Sequence, residues 1–228
     1  MKRCFLCVLV ICLLGAGAVQ AAPILTGPVP LCSTFAVDPS NPNDLAIQYG
    51  VFSVAGFACE QQDKIYSNFA LGGLPTTSTL RIQLQPLSGF DFHTVTFNGN
   101  FGANFTLSYD IAVDLSLSPG ELITSVTGDI SNPSNVGTPS NLKTVFSEGG
   151  VTIGSLISVP GNPGTAITTA NTALHVTDVY TAGGGAAVSI SNTFRETLPT
   201  SAPETYSYLL VGSGFLLLAS LRRVHRRP

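Results

Sequence analysis

The sequence predicts an all-β fold: an antiparallel two-sheet β-sandwich, jelly-roll-like, set between an N-terminal signal peptide and a C-terminal transmembrane helix. Three observations predict it. Every odd position of Phe105–Leu117 is apolar (Phe105, Leu107, Tyr109, Ile111, Val113, Leu115, Leu117), and the even ones are Thr, Ser, Asp, Ala, Asp and Ser. That period of two over 13 residues is the pattern of a strand with one buried and one wet face. About ten short apolar runs, punctuated by Gly-Asn, Gly-Gly and Pro-Gly, fill residues 45–194 with no convincing amphipathic helix among them. Strands of this number and spacing in one domain point to a sandwich.

The chain divides into three parts. Residues 1–21 read as a secretory signal: Lys2 and Arg3 form the basic start, Cys4–Gly17 the apolar core, and Val19-Gln20-Ala21 a small-residue cleavage site. Ile11 precedes Cys12 where a lipoprotein signal requires a small residue. Residues 22–200 form the ectodomain, and residues 201–228 form a tail.

The ectodomain is acidic. Between Ala22 and Ser201 only Lys64, Arg81, Lys143 and Arg195 oppose twelve acids, a net charge of −8. Such a surface has no basic patch for phosphates, which excludes nucleic acid as a partner. About 180 residues suffice for one domain with a real core. Of five cysteines, three lie in the signal, and Cys32 with Cys59 remain; in an oxidising compartment they most simply form a disulfide.

The predicted strands run in order through Leu45–Phe52, Ile65–Leu71, Thr79–Gln85, His93–Asn98, Phe105–Leu117, Leu122–Ile130, Leu142–Phe146, Val151–Val159, Leu174–Tyr180 and Ala187–Phe194. Before them, Asp38–Asp44 offers hard oxygen ligands but lacks the spacing of a calcium loop, and Asx-turns explain it.

The search for chemistry finds no catalytic constellation. Asp110 and Asp114, on one strand face, are about 13 Å apart at ~3.3 Å per residue, beyond the reach of a glycosidase pair. Glu60 and Asp63 stand three apart without a third partner. His93 and His175 occur singly, without zinc-ligand spacing, and no Gly-x-Ser-x-Gly elbow occurs. The expectation is a non-enzyme with no cofactor and no metal. A sugar-binding module is the alternative, and a secreted hydrolase comes third. With no Trp in the chain, Tyr49, Tyr66 and Tyr180 are the aromatic candidates for stacking a sugar, Tyr109 being predicted inward.

The tail is the most specific stretch. Pro203-Glu204-Thr205 is followed by 16 uncharged residues, Tyr206–Leu221, and by Arg222, Arg223, His225, Arg226 and Arg227. A helix of that run spans about 24 Å at ~1.5 Å per residue, with tyrosines and arginines at its ends to cover the shortfall from a bilayer core. Arg222, Arg223, Arg226 and Arg227 orient it with the basic end (222–228) in the cytoplasm and the ectodomain outside. The nearby Leu198-Pro199-Thr200-Ser201-Ala202 departs from the cell-wall pattern LPXTG at its last two positions.

This layout resembles the PEP-CTERM sorting signal of Gram-negative bacteria. Pro203 and Glu204 match the first two motif positions, and Thr205 replaces the second proline. The stretch Cys59-x-x-x-Asp63-Lys64-x-Tyr66-Ser67-Asn68-Phe69 is similar to one found in a group of such proteins. The resemblance implies an exosortase as processing partner, transient anchoring in the inner membrane, and delivery to the cell surface or extracellular matrix, with exopolysaccharide as a further partner. It implies no activity or ligand for the ectodomain.

Overall fold

The computed structural model describes residues 28–87 and 90–197. The predicted signal peptide (residues 1–21) with its three cysteines, and the predicted tail with Pro203, Glu204, Thr205 and its four arginines, lie outside the described residues.

Twelve strands form two six-stranded antiparallel sheets. In chain order they are β1 (Asp44–Gln48), β2 (Ala58–Gln61), β3 (Lys64–Gly72), β4 (Thr79–Leu87), β5 (Phe90–Phe101), β6 (Phe105–Val113), β7 (Leu122–Ser131), β8 (Ser140–Ser147), β9 (Thr152–Ser158), β10 (Gly164–Asn171), β11 (Ala173–Thr181) and β12 (Ala187–Thr197). The first sheet runs β1-β4-β5-β12-β7-β10 and the second β2-β3-β6-β11-β8-β9. The last eight strands pair as nested partners, β5 with β12, β6 with β11, β7 with β10 and β8 with β9. That is a long hairpin folded over into two sheets, the jelly-roll arrangement. The first four strands extend both sheets beyond it.

The alternation in β6 works as expected up to Val113, where the strand stops. Asp114 then accepts from the backbone N–H of Ser116 at 2.8 Å and turns the chain. Leu115 and Leu117, expected inward, are about half exposed. The predicted run Leu45–Phe52 also ends early: Tyr49–Phe52 is a single turn of α-helix, which places Phe52 in the core. Strands β2 and β10 have no counterpart in the sequence reading. Both are edge-side strands with few large apolar residues, so packing against a neighbour defines them.

The core is aromatic between the sheets. Phe97 and Phe194 of the first sheet meet Tyr109 of the second, and Phe69 stacks on Tyr109 with ring centroids 5.6 Å apart. Tyr180, also buried, donates to the Phe101 carbonyl at 2.8 Å and accepts from the Ala187 N–H at 3.1 Å, which satisfies its hydroxyl in the interior. Serines and threonines lie on the outer face of the first sheet, where they pair across strands: Thr94 with Thr193, Thr96 with Ser191 and Thr127 with Thr165.

Cys32 and Cys59 form the expected disulfide, both sulfurs buried. It ties a 3-10 turn (Cys32–Thr34) to β2, beside a backbone bond from the Glu60 N–H to the Pro30 carbonyl. The 27-residue separation corresponds to roughly 3–4 kcal/mol of stabilisation in the chain-entropy account. In Asp38–Asp44, Asp38 accepts from the Ser40 N–H and Asn41 from the Asn43 N–H, the expected Asx-turns.

Candidate functional site

The outer face of the second sheet gathers side chains that the sequence keeps far apart. In β3 the register slips between Ser67 and Ala70, and Asn68 takes a positive φ of 54°, a conformation that asparagine tolerates better than most residues. From this bulge Asn68 Nδ2 donates to Asp110 Oδ2 at 2.6 Å. The other oxygen of Asp110 lies 2.5 Å from His175 Nδ1, and His175 Nε2 lies 3.4 Å from Thr177 Oγ1. His175 is the register partner of both Asp110 and Phe146, and its ring is tilted against Phe146 at 5.9 Å. Asp110 is therefore a buried, fully engaged acceptor, not the solvating charge its alternation suggests, and Asp114 shares no site with it.

Two strand positions further along, the same face turns apolar. Val179, Leu142 and Ile157 are register neighbours across β11, β8 and β9, and they are 40%, 42% and 63% exposed. Between the two rows lie Thr177, Thr144 and Ser155. The face thus presents a hydrogen-bonding row, a hydroxyl row and an apolar row on one sheet surface.

A second cluster closes one end of the sandwich. Lys64 is fully buried at the start of β3. Its Nζ lies 2.6 Å from Asp63 Oδ2, 2.7 Å from Glu196 Oε2 and 3.5 Å from Glu121 Oε2. His93 of β5 borders the group, with Nε2 3.8 Å from Asp63 and 3.7 Å from Glu196, while its Nδ1 meets the Tyr66 hydroxyl at 3.1 Å. Burial pushes Glu196 up to about 8 despite Lys64, and burial with a hydrogen bond to Asp63 pushes Glu121 up to about 7. Burial would raise Asp63 as well, but the hydrogen bond with Glu121 and the contact with Lys64 hold it well below the usual carboxylate range. Burial and Lys64 together push His93 down to about 3, so its imidazole is neutral. Near neutral pH Asp63 is therefore the fully ionised carboxylate of the cluster, Glu121 lies close to its midpoint and Glu196 stays largely protonated.

Asp63, His93 and Glu196 each bring a ligand atom within 4.8 Å of one another. Lys64 Nζ lies at contact with two of them, and a divalent ion there would face an ammonium. The residues present fit a lysine. The sequence reading gave Asp63 no third partner; the fold supplies Lys64, Glu121 and Glu196. The signal that points to them is phase: Lys64 shares its strand face with Tyr66, and His93 with Val95 and Phe97.

Of the tyrosines considered for sugar stacking, Tyr66 and Tyr180 are buried, Tyr109 is buried as expected, and Tyr49 is partly buried against Phe52. An apolar cleft of about 590 Å³ lies on the side of the disulfide, lined by Phe35, Val51, Val54 and Phe57 among others. Among the described residues no helix is long and apolar enough to cross a membrane.

No family model matches the chain, and no curated protein matches it. Among solved structures it overlaps an arabinose-bound MgGH51 α-L-arabinofuranosidase with a TM-score of 0.31 at 10% identity, covering 58% of this chain and 23% of that one. It also overlaps the module CsCBM6-3 from Clostridium stercorarium, in complex with cellobiose, with a TM-score of 0.22 at 12% identity, covering 68% of this chain and 93% of the module. The chain thus spans under a quarter of the first structure's length. At these scores the overlaps carry no argument about function, and the architecture rests on the strand order itself.

Proposed function

We propose that the chain is an exported, non-catalytic surface or extracellular-matrix protein whose sandwich holds polysaccharide on the outer face of its second sheet. Export rests on residues 1–21, and sorting with processing by an exosortase rests on the tail that Pro203, Glu204 and Thr205 introduce. The observation that carries the binding reading is the exposed row Val179, Leu142 and Ile157 running beside the hydroxyls of Thr177, Thr144 and Ser155, with the partly exposed His175 beyond them. A sugar chain offers apolar C–H ring faces and hydroxyls in alternation, and this face offers an apolar stripe with donors and acceptors next to it. Titration of the ectodomain with a panel of neutral polysaccharides tests it. Leu142→Asp and His175→Ala should each weaken binding about tenfold, equivalent to ~1.4 kcal/mol. Binding unchanged by both substitutions sinks the assignment of the face.

The line of Asp110 Oδ1, His175 and Thr177 Oγ1 favours a second reading, since carboxylate, imidazole and hydroxyl in series are the parts of an activated nucleophile. Turnover on an ester or glycoside panel, abolished in His175→Ala, would replace the non-catalytic reading with a hydrolase.

Sorting has its own readout. The intact mass of the protein in the outer fraction should correspond to a chain lacking Tyr206–Pro228. A species that retains this segment makes the tail a simple anchor.

A further inference from the structure

Lys143 is the second of the two lysines in the ectodomain, and it too is fully buried, on the inward face of β8. Its Nζ contacts Asp178 Oδ1 on the adjacent strand β11, its register partner. Asn141 Nδ2 donates to the same oxygen at 2.6 Å. Asn192 Nδ2, reaching from β12 of the opposite sheet, donates to Asp178 Oδ2 at 2.8 Å and lies 2.9 Å from the Tyr109 hydroxyl. All four of Lys143, Asp178, Asn141 and Asn192 are wholly buried. The carbonyl oxygens of Asn141 and Asn192 accept no hydrogen bond, an arrangement that costs stability and needs an explanation.

The lysine chain points across the gap between the sheets. A Cβ on Gly128 of β7 would come within 3.1 Å of Lys143 Cε and 2.8 Å of Leu156 Cδ1. Gly128 is the register partner of Asn192. A glycine at this place makes room for the amine to lie against the strand pair that carries Asn192.

We propose that Lys143 and Asn192 form an intramolecular isopeptide bond joining β8 of one sheet to β12 of the other, with Asp178 as the proton carrier. Asp178 takes a proton from the Lys143 ammonium. The free amine attacks Asn192 Cγ, the new Nζ–Cγ bond forms, and the Cγ–Nδ2 bond breaks. Protons passed on by Asp178 let the amide nitrogen leave as ammonium, and Asp178 ends as the carboxylate it began as. No oxidant, cofactor or second molecule is consumed. Burial lowers the proton affinity of Lys143, which favours the nucleophilic form of a desolvated amine. Asp178 is the carrier because its neighbours are all donors, the surroundings of a carboxylate, and a carboxylate resists attack. Asn141 sits two residues from Lys143 on the same strand face, while the lysine chain runs to the other sheet.

Mass spectrometry of the exported full-length gene product tests this directly. Its mature form should weigh less than its disulfide-bonded sequence by one ammonia, and digestion should release a branched peptide joining Lys143 to Asn192. Asn192→Ala should restore the unlinked mass. Asp178→Asn should leave the bond unformed. Because that substitution leaves a buried ammonium unpaired, Asn192→Asp provides a shape-preserving check: it puts a carboxylate, which resists attack, in place of the amide and should also retain the unlinked mass. Recovery of a free Lys143 side chain from folded wild-type protein overturns the proposal, as does a bond from Lys143 to Asn141 or Asp178.

Discussion

Lys64→Met should destabilise the fold by about 3–5 kcal/mol, the usual cost of removing one partner from a buried ion pair. For a domain of this size that corresponds to a fall in Tm on the order of 10 °C. The reason is local. Lys64 Nζ is the cation that Asp63 and Glu196 touch at 2.6 and 2.7 Å, and Lys64 itself is fully buried. Methionine keeps much of the volume of the chain, so the loss reports charge and not a cavity. The carboxylates do not share the loss equally. Near neutral pH Glu196 favours the protonated form and Glu121 is close to its midpoint, while Asp63 is the fully ionised member. The double variant Lys64→Met/Asp63→Asn should therefore recover more stability than Lys64→Met/Glu196→Gln. Denaturant unfolding of the four proteins checks this, and equal recovery by the two doubles would falsify the assignment of charge within the cluster.

Stability should fall as pH rises from about 6 to about 9, and Glu196→Gln should flatten that fall. An ordinary glutamate loses its proton near 4.5, whereas burial keeps Glu196 protonated up to about 8 and Glu121 up to about 7. Between those limits the folded chain holds protons that the unfolded chain has released. The contribution is complete below about 4.5 and lost as pH climbs through the folded values, at up to ~1.4 kcal/mol per pH unit for each group. His93 acts in the opposite direction. Its folded value of about 3 lies below the ordinary 6.5, so its contribution is present above 6.5 and lost as pH falls toward 3. Asp63, held low, likewise loses its contribution in acid. The two slopes oppose each other between 4.5 and 6.5, and above neutrality the glutamates act alone. Glutamine copies the neutral side chain of Glu196 without its titration. A wild-type stability that stays flat or rises over this range, or an equally steep fall in Glu196→Gln, contradicts the proton arrangement described here.

What was legible in the sequence was whatever depends on neighbours along the chain. The period of two across Phe105–Leu117 announced a strand with an inward Tyr109, though it overran the strand's end at Val113; the turn residues spaced the other strands, and the two cysteines outside the predicted signal peptide paired as expected. Asp38 and Asn41 capped their own turns because the acceptor and the amide are two residues apart. The sandwich class follows from these local terms, since many short half-buried strands have few other ways to cover their apolar faces.

The tertiary structure decided the rest, because each remaining feature depends on register between strands distant in sequence. Asp110 looked solvated from its parity alone; only the pairing of β6 with β11 and a bulge in β3 set His175 and Asn68 against it. Lys64 and Lys143 are residues whose charge would place them outside, yet their strand phase points inward. That choice is tolerable only where Asp63 with Glu196, or Asp178, arrives from another strand to meet the ammonium. A sequence records the phase of each strand, but a partner's identity is a property of which strands become neighbours, and the nested pairing of β5 through β12 settles that.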